Sequence, residues 1–274
     1  MKTTFHLLTQ TLLIITGVTL LVLCAGFFFN HPDALALWPW PDGRLSYVFV
    51  ASILAAIGAP VLWMGLSGEL AAMRGGALDF TVTYSGLAIM LLFFGTSVSE
   101  LISIKLFLTI AALSVLFNMF LFLMVGNMPF KDERPVPWLL RASFLVFFLV
   151  LVGVGIALIM QYQAIFPWPL KPQTSVVFGW IFLGAATYFL YGFFKPVWGN
   201  VKGQLIGFLA YDLVLLMPFI QHFDTVKPAH QLSLTVYTSV LIYSASLSLY
   251  FLLIHPSTRF GSDNDQMMYI DDAI

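Results

Sequence analysis

A carboxyl in the middle of an apolar run is the residue of this chain best placed to do chemistry. Asp212 stands ten positions after Lys202, inside the run 203–221. At the helical rise that is about 15 Å, close to the centre of a bilayer. Inserting a charged carboxyl at such depth costs about 2.5–3.5 kcal/mol on insertion scales, and intramembrane acids commonly mark proton, ion or ligand sites. No Lys or Arg lies at comparable depth to pair with it. Two readings follow. Asp212 is either a neutral acid hydrogen-bonded between helices, with Tyr84, Tyr211 or Tyr243 as partner, or a proton or cation site. These four residues form the candidate ligand- or proton-binding set.

The remaining polar residues are less demanding. Asp79, near the start of an apolar run, meets the positive end of a helix dipole, and Glu100 at the far end of that run reaches the headgroup region beside Lys105. Ser114, Asn118, Thr187 and Ser244 read as interhelical hydrogen bonders, worth about 0.6 kcal/mol each in membranes. Of the five histidines, His6 and His255 fall on one side, and His31, His222 and His230 on the other. No two share a depth on facing helices, which argues against bis-histidine haem. His222, His230 and Asp224 could form a shallow metal site, but loop placement makes them solvated residues, and no metal is assigned. His-Glu-x-x-His, a phosphate-cradling Gly loop and an ordered Ser-His-acid set are all missing from the sequence. No catalytic residue and no cofactor is therefore expected, and an enzyme is the least favoured class.

The elements that must position these residues are transmembrane helices. The chain is 60% hydrophobic and 9% charged, against about 25% charged in soluble domains, and mean hydropathy is +0.93. Eight apolar runs (7–29, 46–67, 76–98, 102–125, 139–162, 175–195, 203–221 and 232–254) each approach the roughly 20 residues a spanning helix needs. Runs this apolar must satisfy their backbone internally as helices, and the alternation of a β-barrel strand is not seen. The first run exceeds the length of a signal-peptide core and reads as a retained helix. One cysteine, Cys24, rules out an intrachain disulfide. A net charge of -1 gives no reason to expect nucleic acid. Lys and Arg fall eight to four in favour of both termini being cytoplasmic.

Internal repetition organises these runs. Trp38-Pro39-Trp40-Pro41 returns 128 positions later as Phe166-Pro167-Trp168-Pro169. Each copy ends a polar loop and opens an apolar run. An ungapped register of 39–94 on 167–222 keeps Gly75/Gly203, Phe80/Phe208 and the charge pair Arg74/Lys202. The expected architecture is an all-α polytopic bundle of two parallel four-helix repeats, 1–127 and 139–254. Residues 128–138 would be a cytoplasmic linker and 255–274 a polar cytoplasmic tail. Small residues in the second and sixth runs (Ala51, Ala55, Gly58; Gly179, Gly184, Ala186) nominate those helices for the contact between halves. Trp38, Trp40 and Trp168 read as interfacial anchors, since indoles favour the membrane boundary and flanking prolines stiffen the turn. Parallel repeats require Trp40 and Trp168 on one side of the bundle.

Phe166-Pro167-Trp168-Pro169-Leu170, then Pro172, then Gly179-Trp180-x-Phe182-Leu183-Gly184, resembles a signature of multi-pass bacterial membrane proteins of unknown function. Those carry Phe-Pro-Trp-Pro-Leu-Thr-Pro ahead of a helix rich in Gly, Ala and Leu; here Lys171 replaces the Thr. The resemblance covers residues 166–215 and implies kinship and a bacterial inner membrane, with no activity attached. The functional expectation is a non-catalytic accessory or scaffold subunit of a membrane complex. A carrier of a small or lipophilic ligand, with its site between the repeats near Asp212, is the alternative. Expected partners are membrane lipid and either a membrane protein or a second copy.

Overall fold

The computed structural model describes residues 2–40, 42–94 and 101–260. They form nine helices: α1 (Lys2–Phe28), the short α2 (Pro32–Leu35), α3 (Arg44–Ser67), α4 (Met73–Phe94), α5 (Leu101–Met124), α6 (Trp138–Ile159), α7 (Pro172–Phe194), α8 (Trp198–His222) and α9 (Pro228–Leu249). All but α2 are long and apolar enough to cross a membrane. The chain is thus an all-α polytopic integral membrane protein. Several helices begin earlier than their apolar runs. α7 and α9 open on Pro172 and Pro228, because proline is preset for the first helical position and its missing N–H is not needed there. The polar residues that follow are helical without being hydrophobic, so hydropathy does not see them. Glu100 and residues 261–274 lie outside the described residues.

The eight spans form two rows. In one row α1 packs on α3, α3 on α8, and α8 on α9; in the other α5 packs on α4, α4 on α7, and α7 on α6. Advancing every span by four turns one row into the other. Each half therefore contributes two helices to each row, and the halves interlock rather than sit side by side. This refines the sequence expectation. The second and sixth spans (α3 and α7) do carry contacts between halves, but each packs closely on the third span of the opposite half.

Glycine makes these crossings close. A Cβ on Gly207 of α8 would lie 2.7 Å from the Ala56 carbonyl of α3, and one on Gly184 of α7 would lie 2.7 Å from the Asp79 carbonyl of α4. Position 184 follows 56 by 128 residues, and 207 follows 79 by the same 128. The same crossing is thus made twice, with the glycine on the third span in one and on the second span in the other. Within the rows, α6 meets α7 at Gly155 and Gly179, each approaching the other's carbonyl, and α1 meets α3 at Gly17 and Gly58. Small residues let backbones approach, which is how helices associate where apolar burial supplies no drive.

Between the rows the filling is aromatic. Phe49 of α3, 1% exposed, stacks against Phe178 and Phe182 of α7 and meets Phe166, Trp168 and Tyr211. Nearer the other end, Phe208 of α8 lies 4.5 Å from Phe189 and 4.7 Å from Phe147, ring centre to ring centre. Aromatic pairs in such geometries contribute about 0.5–1.5 kcal/mol beyond burial.

The two ends of the bundle differ. Both Trp-Pro segments lie at one end, where Asp42 Oδ2 accepts from the Lys171 N–H at 3.3 Å. Trp38 packs on Phe178, and the common side required by parallel repeats is observed. At the opposite end the segment 128–137 meets the starts of α4 and α8. There Arg74, Lys131, Arg134, Arg141 and Lys202 gather, along with Ser257 of the C-terminal segment.

If Gly184 is a site of close approach, Gly184→Leu should lower stability by about 1–3 kcal/mol through overpacking. Gly153→Ala, whose Cβ would have nothing within 4 Å, should leave it within about 0.5 kcal/mol. Melting of the purified variants in one detergent checks this; equal effects would remove the crossing from the account.

Candidate functional site

Asp212 sits midway along α8 and is 1% exposed. Its Oδ2 is hydrogen-bonded to Ser244 Oγ of α9 at 2.7 Å, while Oδ1 is buried with no hydrogen-bond partner. Ser244 was among the hydroxyls expected to bond between helices, and it does. Asn118 and Thr187 instead bond carbonyls of their own helices, at Ser114 and Gly184, because a carbonyl three or four residues back is always within reach.

The three candidate tyrosines do not converge on Asp212. Tyr211 points its hydroxyl to Tyr237 of α9, and Tyr243 bonds Ser143 Oγ of α6 at 2.7 Å. Tyr84, the repeat counterpart of Asp212, packs on Phe80 within α4. Neighbours in sequence on a helix point about 100° apart, which separates Tyr211 from Asp212 and Tyr243 from Ser244. What sequence reasoning missed is Tyr237, whose spacing of seven from Ser244 puts both on the buried face of α9. Asp79 lies two turns into α4, accepts from Thr83 Oγ1 at 3.1 Å and faces Gly184. It takes part in the crossing rather than only ending a helix.

A second polar constellation surrounds the Phe166-Pro167-Trp168 segment. Three successive carbonyls each receive one donor: Ile165 O from Ser233 Oγ at 2.7 Å, Phe166 O from His230 Nδ1 at 2.8 Å, and Pro167 O from His222 Nε2 at 3.1 Å. Because a carbonyl only accepts, His230 carries its hydrogen on Nδ1 and His222 on Nε2. His222 Nδ1 is hydrogen-bonded to Thr225 Oγ1 at 2.9 Å. These histidines are therefore structural donors and not solvated loop residues. Among the described residues no group of three or more His, Cys, Asp or Glu converges as metal ligands would. Trp168 departs from the anchor expectation too. It is 6% exposed and turns its indole N–H inward to Ser46 Oγ at 2.9 Å, since a buried indole N–H needs an acceptor. The mirrored bond is not made: Thr174, the counterpart of Ser46, is fully buried with an unpartnered hydroxyl. Trp38 and Trp40 stay half-buried and pack edge-on to one another.

The third constellation belongs to the linker end. Glu69, 3% exposed, accepts from the Lys131 N–H at 2.9 Å and the Asp132 N–H at 3.2 Å, while Lys131 Nζ donates to Ser67 O at 2.8 Å. A Cβ on Gly199, in the first turn of α8, would lie 2.8 Å from Glu69 Oε2. One carboxylate thus ties the first half to the linker and abuts the second half. Burial pushes the Glu69 carboxyl up, outweighing the backbone donors that favour its charged form. Burial also raises Asp132, but Arg134, bonded to it through Nε at 2.9 Å and Nη2 at 2.6 Å, wins and holds it below the usual range.

Set beside known proteins, the chain matches no family model, no curated protein and no solved structure. Its function must be argued from these three constellations.

Removing a donor from the carbonyl row leaves a buried acceptor unpaired, at a cost of about 1–3 kcal/mol. His230→Ala should therefore lower the melting temperature more than His31→Ala, whose side chain is 63% exposed; equal effects would refute the structural role. Glu69 yields a pH test. Its proton is held more tightly in the fold than in the unfolded chain, so its stabilising contribution is complete below the ordinary value of 4.5. That contribution is lost as pH rises through the raised folded value. Glu69→Gln is always neutral, so the melting difference between variant and parent should shift toward the variant as pH increases. A difference that stays flat across that range would contradict the burial argument.

Proposed function

We propose that this protein is a non-catalytic accessory or scaffold subunit of a membrane complex, inserted in a bacterial cytoplasmic membrane with both termini cytoplasmic. One observation carries the reading. The space between the rows, which a carried ligand would need, is filled by buried rings: Phe49, Phe166, Trp168, Phe178 and Phe219 are each 6% exposed or less. Interlocked halves joined at glycine crossings favour one stiff body over two halves that rock. The orientation is supported by the basic residues at the linker end. Kinship with the bacterial proteins that share the Phe-Pro-Trp-Pro-Leu signature, and origin of the fold by duplication, are parts of the same proposal. The recurrence of the Ala56–Gly207 crossing as Gly184–Asp79 supports the duplication.

The partner surface we assign is α5. Only 11% of its most apolar stretch is buried, against 39% for α9, and Leu113, Leu116, Phe117 and Phe120 are each more than 60% exposed. A membrane protein or a second copy would cover this face; elsewhere lipid does. The second reading, a carrier centred on Asp212, draws on the unpartnered Oδ1.

A photo-crosslinker placed at Phe117, with the full-length protein in its native membrane, should capture a protein partner or a second copy. The same probe at Leu149 on α6 should capture lipid alone. Lipid alone at both positions, with a monodisperse purified protein, would overturn the scaffold reading.

A further inference from the structure

The hydrogen bonding of the Asp212 carboxyl is settled by counting hydrogens. Ser244 Oγ lies 2.7 Å from Asp212 Oδ2, 2.9 Å from Val240 O and 3.2 Å from Leu241 O. A hydroxyl has one hydrogen and two lone pairs, and a carbonyl can only accept. If Asp212 were ionised, its Oδ2 and the Val240 carbonyl would compete for that single hydrogen. Oδ1 would then be a charged oxygen in the bundle interior with no donor. An isolated buried carboxylate is among the most costly groups to leave unpaired.

The alternative removes the competition and leaves no buried charge. A hydrogen on Oδ2 donates to Ser244 Oγ, Ser244 donates to Val240 O, and Oδ1 is left as a neutral carbonyl oxygen. We propose that Asp212 is a proton-binding site, its proton held on Oδ2 in a relay through Ser244 to the Val240 carbonyl. This is independent of the scaffold reading and assigns the site a ligand, the proton. Release is a plain exchange with water. The Oδ2–H bond breaks, its electron pair stays on the carboxylate, the proton leaves on water, and the Ser244 hydrogen turns from Val240 O to Oδ2.

The surrounding charges fit. α8 packs on α3 and α9, on the turn at 70–72 and more loosely on α7, and the titratable groups these elements bring are few. α3 brings Arg44 and Tyr47, α8 itself Lys202, Tyr211 and His222, α9 His230, Tyr237 and Tyr243, with Tyr250 just after it, and α7 Tyr188 and Tyr191. Lys171, Lys195 and Lys227 stand just outside helix ends, and Glu69 precedes α4. Arg44 donates to carbonyls at the end of α1, and Lys202 lies over the Phe260 ring at the opposite end. The Tyr211 and Tyr237 hydroxyls bond one another, one donating and the other accepting. No cation on these elements reaches the carboxyl as a hydrogen-bond or ion-pair partner.

The test is infrared spectroscopy of the full-length protein in lipid nanodiscs at neutral pH. We expect a protonated-carboxyl C=O band, shifted by deuterium exchange, with a component lost in Asp212→Asn and retained in Asp79→Asn. Ser244→Ala, which removes the acceptor of the Oδ2 hydrogen, should move that component to higher frequency. A spectrum unchanged by Asp212→Asn would overturn the proposal, as would a component that Ser244→Ala leaves in place. Loss of the component on adding sodium or potassium at constant pH would reassign the site to a cation.

Discussion

The joining of the two halves depends on two places where helix backbones of opposite halves come close enough to exclude a side chain. At Gly207 and at Gly184, a third span of one half and a second span of the other cross with room for hydrogen only. In lipid there is no hydrophobic gain from bringing apolar helices together, so close packing has to supply the association. Those two crossings tie the halves into common rows. The large rings fill the space that remains between the rows, and the rings can be large because the glycines have made the rows thin. Rows closed by small residues and separated by aromatic ones give a body with few ways to deform.

The polar residues divide according to this plan. At the motif end, carbonyls of the loop between α6 and α7 are met by Ser233, His230 and His222, and the two Trp-Pro segments are joined through Asp42. At the linker end, Glu69 closes the seam between halves by receiving two linker amides. Both devices satisfy backbone groups that a membrane would otherwise leave unpaired. Among the acids of the described residues, Asp212 is placed midway along its span without a seam between halves to close, which is why its chemistry stands apart from the rest.

Much of the architecture is legible in the residues. Eight apolar runs, the 128-residue offset and the common side of the Trp-Pro segments can all be read from spacing and composition, because the bilayer imposes length and polarity on each span. Ser244 as an interhelical hydrogen-bond partner is legible for the same reason. What is not legible depends on azimuth. Tyr211 adjoins Asp212 in sequence yet faces Tyr237, and Tyr243 adjoins Ser244 yet faces Ser143. In lipid the outward side of a helix is as apolar as the inward side, so the pattern that orients a soluble helix is too weak to point these side chains. His222 and His230 look like loop residues because their partners are carbonyls, which leave no mark in the sequence. The interlocking of the halves is hidden likewise: Gly184 and Gly207 stand out as small residues, but nothing in the chain says which helix each one meets.

The most direct test of the interlocked arrangement is a density map of the full-length protein in lipid nanodiscs, at a resolution that traces side chains. The account predicts α3 crossing α8 at Gly207 and α4 crossing α7 at Gly184, with Phe49 between the rows. A map with α3 packed on α4 and α7 on α8, as two separate four-helix bundles, would contradict it.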